Sequence, residues 1–189
     1  MESIDSPVLT SPISTTARAS DAVSIEAVVV EAFEAYAGRL KAFARAAVRD
    51  EDAADDLVQE TFLRFVRQLK GPGLPDNVGG WLYRVCANLA ISRGRRQTVA
   101  ERMRRLLSDR SSSPSPEESA VRSDENARIR DVLAEMPADA RVALLMAAEG
   151  FSSAEIGAAI GRTAGATATY ICRARVRLRD RLLADEAQP

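Results

Sequence analysis

Apolar residues along the chain recur at helical spacing, and no segment shows the strict alternation of a half-buried strand. Phe33, Tyr36, Leu40, Phe43 and Ala47 fall at three- and four-residue steps, which predicts a helix from about Ile25 to Val48 with these residues on one face. Leu57, Thr61, Phe65 and Leu69 mark a second helix from about Asp52 to Leu69, whose acidic start suits a helix N-terminus. Gly71-Pro-Gly-Leu-Pro75 breaks the chain. A third helix then begins near Asn77 or Val78, with Trp81, Val85 and Leu89 on one face and a weak point at Gly94.

Further on, a helix from about Glu117 to Met136 turns Val121, Ile129, Val132, Leu133 and Met136 inward. Pro137 ends it and can open the next helix, which stops at Gly150. Ser152 and Glu155 have the spacing of a capping box, starting a short helix that runs through Ile160. Gly161-Arg-Thr163 turns the chain into a last helix, from about Ala164 to Leu183. A short helix, a glycine-containing turn and a longer basic helix make the helix-turn-helix pattern.

Two stretches lie outside these patterns. Residues 1–24 are rich in Ser, Thr and Pro and read as a disordered leader. Ser111-Ser-Ser-Pro-Ser-Pro116 reads as part of a flexible linker over 108–116. The expected fold is therefore all-α, with two small helical domains at 25–107 and 117–184, the second carrying the helix-turn-helix. With 189 residues, 46% hydrophobic and 28% charged, the chain is of globular composition. Aromatics at 5% leave the core to Ala, Leu, Val and Ile.

Composition also excludes chemistry. With no histidine there is neither a His-based catalytic triad nor a His-ligated metal. Cys86 and Cys172 are too few for a disulfide framework or a four-thiolate zinc site, and single cysteines in helices are more often packing residues. No apolar run approaches the ~20 residues of a membrane span. The N-terminus lacks the pattern of a secretory signal, so a cytoplasmic chain without membrane insertion is expected. Neither a cofactor nor a metal is expected, and no residue is assigned a catalytic role.

The net charge of −1 conceals segregation. Six acids (Asp50, Glu51, Asp52, Asp55, Asp56, Glu60) stand against one base between Arg49 and Glu60. Eight arginines face two acids between Arg84 and Arg110, and five face Asp180 between Arg173 and Arg181. Of the basic residues only Lys41 and Lys70 are lysine, a bias that a GC-rich genome explains. One basic block in each domain, joined by a linker, can span two sites on a polyanion such as DNA.

Three segments then become recognisable. Asp55-Asp-Leu-Val-Gln-Glu-Thr-Phe-Leu-Arg64 resembles the core-polymerase-binding segment of sigma factors. Trp81-Leu-Tyr-Arg-Val-Cys-Ala-Asn-Leu-Ala-Ile91 is similar to their promoter-melting helix. Met136-Pro-Ala-Asp-Ala-Arg141, with Glu155-Ile, Gly161 and Arg173-Ala-Arg175, resembles their C-terminal helix-turn-helix. Order and spacing over about residues 25–184 match the extracytoplasmic-function (ECF) group of the sigma-70 family.

The resemblance implies a promoter-specificity subunit of RNA polymerase, regulated by an anti-sigma factor. It implies that Asp55, Asp56, Leu57, Gln59, Glu60 and Phe62 form the core-polymerase-binding helix, with Leu57 and the nearby Phe65 weighted towards packing. Asn77, Trp81, Arg84, Asn88, Arg93, Arg95 and Arg96 would bind the minus-ten strand, Asn88 being the candidate base contact and Trp81 weighted towards packing. Arg162, Thr163, Thr167, Thr169, Tyr170, Arg173, Arg175 and Arg177 would bind the minus-thirty-five element.

The chain also departs from the family. Gly165-Ala-Thr-Ala-Thr-Tyr170 stands where a pattern like Gly-Thr-Val-Lys-Ser-Arg is common, so Ala168 and Tyr170 replace two basic residues. Ala87 stands before Asn88 where an arginine is usual, and Ser92 where an acid is common. The substitutions at 168 and 170 predict a weaker electrostatic grip on the upstream element. The competing expectation is a stand-alone helix-turn-helix regulator, which has no need of the Asp55–Glu60 block. A metal-dependent enzyme using Asp55, Asp56 and Glu60 is the third, since acids at a helix start more often serve the helix dipole.

Overall fold

A computed structural model describes residues 24–48, 50–107 and 124–186. Residues 1–23 of the leader, the linker over 108–116 and residues 117–123 of the expected fourth helix, Val121 among them, lie outside them. The described residues form seven helices and no strand. The helices are α1 (Ile25–Ala47), α2 (Glu51–Lys70), α3 (Val78–Leu107), α4 (Asp124–Glu135), α5 (Ala138–Ala148), α6 (Ser153–Ile160) and α7 (Ala164–Glu186). Among the described residues no helix is long and apolar enough to cross a membrane.

Local chemistry sets the ends. The Ser24 hydroxyl accepts from the Glu26 N–H to cap α1, and the Asp50 carboxylate accepts from Asp52 and Ala53 to cap α2. The Asn77 side-chain oxygen accepts from the Gly80 N–H at 2.8 Å and caps α3. Pro137 sits immediately before α5, where its missing N–H costs nothing. The Ser152–Glu155 capping box opens α6, and Gly161 closes it at φ 74°, a left-handed conformation that glycine adopts freely.

The α3 helix differs from expectation in two ways. It runs straight through Gly94. Its buried face is Leu82, Tyr83, Cys86, Ala87, Ala90 and Ile91, while Trp81, Val85 and Leu89 lie half-buried at its flank. The cause is that α3 packs on α1 and α2 on one side and on α5 and α6 on the other, so its apolar face is about half a turn wide. Phe33 is a second difference. It stands 53% exposed, outside the buried stripe of Tyr36, Leu40, Phe43, Ala44 and Ala47.

A single hydrophobic cluster joins residues from α1–α3 to residues from α4–α7. In the second group Val132, Leu133 and Met136 are buried and Ile129 is half-buried. The buried Arg141 guanidinium donates to the Leu133 and Ala134 carbonyls at 3.4 and 3.1 Å, which satisfies the end of α4.

Candidate functional site

Three surfaces collect the residues that the sequence singles out. The first is a groove of 470 Å³ between α1 and α2. Phe33, Phe62 and Leu63 line it, and Lys41, Asp55 and Gln59 lie at its polar edge. The Phe33 and Phe62 rings are 5.1 Å apart. Leu57 and Phe62 are only 5% and 8% exposed, so they chiefly support the groove, and Phe65 is fully buried. The exposed apolar atoms come instead from Phe33 and from Leu63, 47% exposed, neither of them among the six residues that the resemblance implies for docking. A signal was available: Val28, Val29, Val30 and Phe33 make α1 apolar over more than one face, which one packing partner cannot cover.

The acids of this helix diverge. Asp55 pairs with Lys41 at 2.8 Å, and Asp56 lies 4.0 Å from Arg93. Glu60 accepts from Arg64 at 2.8 Å, and that hydrogen bond holds its carboxyl below the usual range. Each carboxylate thus has a separate cationic neighbour, an arrangement suited to a charged rim rather than to a shared metal.

The second surface runs along α3. At 3.6 residues per turn, Trp81, Arg84, Asn88 and Arg95 share one stripe about 21 Å long. Arg84, Asn88 and Arg95 are exposed, and Trp81 is half-buried against Phe65 at 5.7 Å. Arg93 turns the other way, towards Asp50 at 3.7 Å and Asp56. Arg96 is exposed and donates to the Ser92 carbonyl at 3.3 Å. In the preceding loop the Gln68 amide donates to the Gly73 carbonyl at 3.1 Å, with Gly73 at φ 97°. Asn77 begins the helix beside Trp81.

The third surface is the helix-turn-helix of α6 and α7. A Cβ on Gly157 would lie 2.5 Å from the Arg162 carbonyl oxygen and 2.9 Å from the Thr167 hydroxyl, so only glycine lets the turn close. Thr163 caps α7: its hydroxyl accepts from the Ala166 N–H at 3.4 Å. Thr167 is fully buried and its hydroxyl donates to the Thr163 carbonyl at 2.8 Å, which leaves that side chain no face towards DNA. Tyr170 is half-buried under Arg162, whose guanidinium lies 4.2 Å from the ring centre and 3.6 Å from Asp139. Burial, then the hydrogen bond to Asp139, pushes the Tyr170 phenol up to about 12.

The outer face of α7 is divided. Thr169, Arg173 and Arg177 are exposed on one stripe with Ala166, and helix geometry turns Arg175, with Ala168 and Arg179, to the opposite side of α7. The structure therefore brings Thr169, Arg173 and Arg177 together. It folds Arg162 and Tyr170 onto Asp139, a residue that the Met136–Arg141 motif contains but to which the sequence reading gave no role.

Two family models match the chain: Sigma-70 region 2 over residues 32–99 and Sigma-70 region 4 over residues 126–178. The chain is 33% identical over 152 residues to the ECF RNA polymerase sigma factor SigE of Mycolicibacterium smegmatis, covering 78% of this chain and 58% of that protein. It is also 33% identical over 152 residues to the ECF RNA polymerase sigma factor EcfG of Rhodopseudomonas palustris, covering 79% of this chain and 82% of the relative. It thus spans little more than half of SigE but most of EcfG. Among solved structures, the sigma factor RpoE in complex with the anti-sigma factor NepR from Bartonella quintana matches with a TM-score of 0.59 and 25% identity, over 85% of this chain and 97% of that one. With a region 2 motif in α1–α3, a region 4 helix-turn-helix in α4–α7 and a relative matched over most of its length, the chain belongs to the ECF group of the sigma-70 family.

Proposed function

We propose that this chain directs core RNA polymerase to specific promoters and helps to open them, working in the cytoplasm and performing no covalent chemistry itself. The observation that carries the reading is the separation of surfaces by chemistry. An apolar groove edged by Lys41, Asp55 and Gln59 lies on α1 and α2, with Asp56 and Glu60 further round α2, and arginine-bearing stripes lie on α3 and α7.

The groove suits a partly hydrophobic, basic partner surface. Phe33, Phe62 and Leu63 supply apolar contact, and Asp55, Asp56, Gln59 and Glu60 supply polar contact. On α3, Asn88 is placed to hydrogen-bond an unpaired base, Trp81 offers part of a ring for stacking, and Arg84, Arg95 and Arg96 hold phosphates. Asn77 contributes from the loop with its remaining amide donors. Arg93 is shared with the acids of α2, which links the docking helix to the strand-binding helix.

On α7, Thr169 and Arg173 meet base edges or phosphates in the major groove, with Arg175 and Arg177 on the flanking backbone. Thr163, Arg162 and Tyr170 shape the turn that presents them. The exchange of two basic residues for Ala168 and Tyr170 lowers the phosphate contribution and the salt dependence that goes with it. An anti-sigma factor that covers the groove would hold such a protein inactive. A stand-alone regulator would leave the α1/α2 groove without a purpose.

The test is to map transcription start sites in cells overproducing the chain. New starts sharing an upstream sequence pair at fixed spacing are expected. An unchanged start-site map with the protein bound to core polymerase would overturn the reading.

A further inference from the structure

The exposed side of α7 has an order of its own. Thr167, Ile171 and Ala174 are buried and Leu178 is half-buried, which fixes the face that packs on α4, α5 and α6. Opposite that face stands a line of Gly165, Thr169, Cys172 and Val176, all exposed. Two hollows flank the line. One, of 330 Å³, is lined by Arg173, Arg177 and Asp180. The other, of 440 Å³, lies between α7 and the start of α6 and has Ala168, Arg175 and Arg179 on its α7 side. Cys172 and Val176 line both, so they form a ridge between two arginine-bearing hollows.

These dimensions fit a duplex. At 3.6 residues per turn, Arg173 and Arg175 lie about 160° apart around the helix axis, and so do Arg177 and Arg179. A helix about 10–12 Å across fills a major groove about 12 Å wide, so side chains on its two flanks face the phosphates of opposite strands. The ridge then faces the base edges. From Gly165 to Val176 it runs about 16 Å, the height of roughly five base pairs. Arg179 also pairs with Asp180 at 3.2 Å, so the hold on phosphate falls off towards the C-terminal end.

The ridge is poor in groups that read bases by hydrogen bonds. Gly165 offers no side chain, although a Cβ there would meet nothing within 4 Å. The Thr169 hydroxyl donates to the Gly165 carbonyl at 3.3 Å, which commits its proton and leaves a methyl group to offer. Cys172 carries only a weak donor, and Val176 has no polar side-chain atom. Nothing on the ridge can make the bidentate pairs by which Arg or Lys reads guanine and Asn or Gln reads adenine. The feature of the major groove that such a surface fits is the C5-methyl group of thymine. We propose that α7 reads its promoter element through thymine methyl groups, with Thr169, Cys172 and Val176 setting specificity and the two arginine pairs holding the phosphates of the two strands. The assignment rests on the promoter reading of α7, which it refines.

Deoxyuridine substitution tests it, because uracil pairs as thymine does but lacks the methyl group. The full chain is assembled with core polymerase. Gel shift reads its binding to a synthetic duplex taken from upstream of a start site that appears on overproduction. Thymines of the minus-thirty-five segment are replaced by deoxyuridine singly and together, with replacements in the spacer as the control. Cys172→Ala/Val176→Ala truncates the ridge at two exposed positions, which leaves the core of the helix-turn-helix intact. Arg175→Gln/Arg179→Gln removes the charge of one flank.

Each methyl group lost opposite the ridge should weaken binding about fourfold, and spacer replacements should change nothing. Cys172→Ala/Val176→Ala should bind the thymine duplex more weakly and lose the penalty at the thymines that those two residues face. Arg175→Gln/Arg179→Gln should bind every duplex more weakly, with a shallower salt dependence and the deoxyuridine penalty unchanged. A segment without thymine, or a combined penalty under about twofold, would overturn the methyl reading. A penalty that persists in full in Cys172→Ala/Val176→Ala would overturn the ridge. An unchanged salt dependence in Arg175→Gln/Arg179→Gln would overturn the two-strand hold. Failure of the parental complex to bind any such duplex would instead strike the promoter reading, and this refinement with it.

Discussion

Removing two exposed side chains from the α1/α2 groove should separate docking from folding. Complete burial of a Leu or Phe side chain stabilises by about 1.5–3 kcal/mol. Phe33 is 53% and Leu63 47% exposed, so a docked partner can hide about half of each, contributing about 0.8–1.5 kcal/mol apiece. The Phe33→Ala/Leu63→Ala chain should therefore bind core polymerase about 10- to 150-fold more weakly, at ~1.4 kcal/mol per factor of ten. Its fold should suffer little. The Phe33–Phe62 ring contact at 5.1 Å is worth about 0.5–1.5 kcal/mol, and the higher helix propensity of alanine offsets part of its loss. The assay is titration of a fluorescently labelled chain with core polymerase, beside a thermal melt by circular dichroism. Affinity within threefold of the parent, in a chain that melts normally, would refute the groove as the docking surface.

Asp56→Arg should abolish core binding with the helical spectrum intact, because Asp56 is exposed and its nearest ion-pair partner, Arg93, is 4.0 Å away; unchanged co-purification with core would contradict this. Asn88→Ala should slow open-complex formation more than closed-complex binding, checked by permanganate reactivity against gel shift. Tyr170 keeps its proton to about pH 12 when folded but only to about 10 when unfolded, so it contributes stability below pH 10 that is lost as the pH rises towards 12. Melting temperatures between about pH 9 and about pH 12 should fall less steeply in Tyr170→Phe. Burial pushes the Cys86 thiol up to about 12 whereas Cys172 is exposed, so a thiol reagent at neutral pH should label Cys172 and spare Cys86 until the chain unfolds, as peptide mapping would read.

Most of the helical skeleton was legible in the sequence because local signals coincide with it. The Ser152–Glu155 capping box, Gly161 and Pro137 mark ends whose chemistry is contained within a few residues. The faces were less legible where an element has two partners. The α3 helix packs on both sides, so its buried residues are the pairs 82–83, 86–87 and 90–91, and the most conspicuous side chain, Trp81, sits at the edge. Phe33 looked like core for the same reason in reverse: a periodic pattern records apolar positions without saying which of them another protein covers. Nor does spacing report who pairs with whom. Arg93 lies among the phosphate candidates in sequence but faces Asp50 and Asp56 in space. Thr167 sits one turn beyond Thr163, and its hydroxyl turns back to that carbonyl. The contacts of Tyr83 with Glu149 and of Gly94 with Ala138 join residues far apart in the chain and have no local signature.

Run-off transcription with purified core polymerase, on a template carrying a start site that appears on overproduction, tests the account most directly. Core with the parental chain should give a discrete transcript, and core alone or with the Phe33→Ala/Leu63→Ala chain should give little or none. A transcript of equal yield without the chain, or none on any such template with it, would contradict the claim that this protein confers promoter recognition on core polymerase.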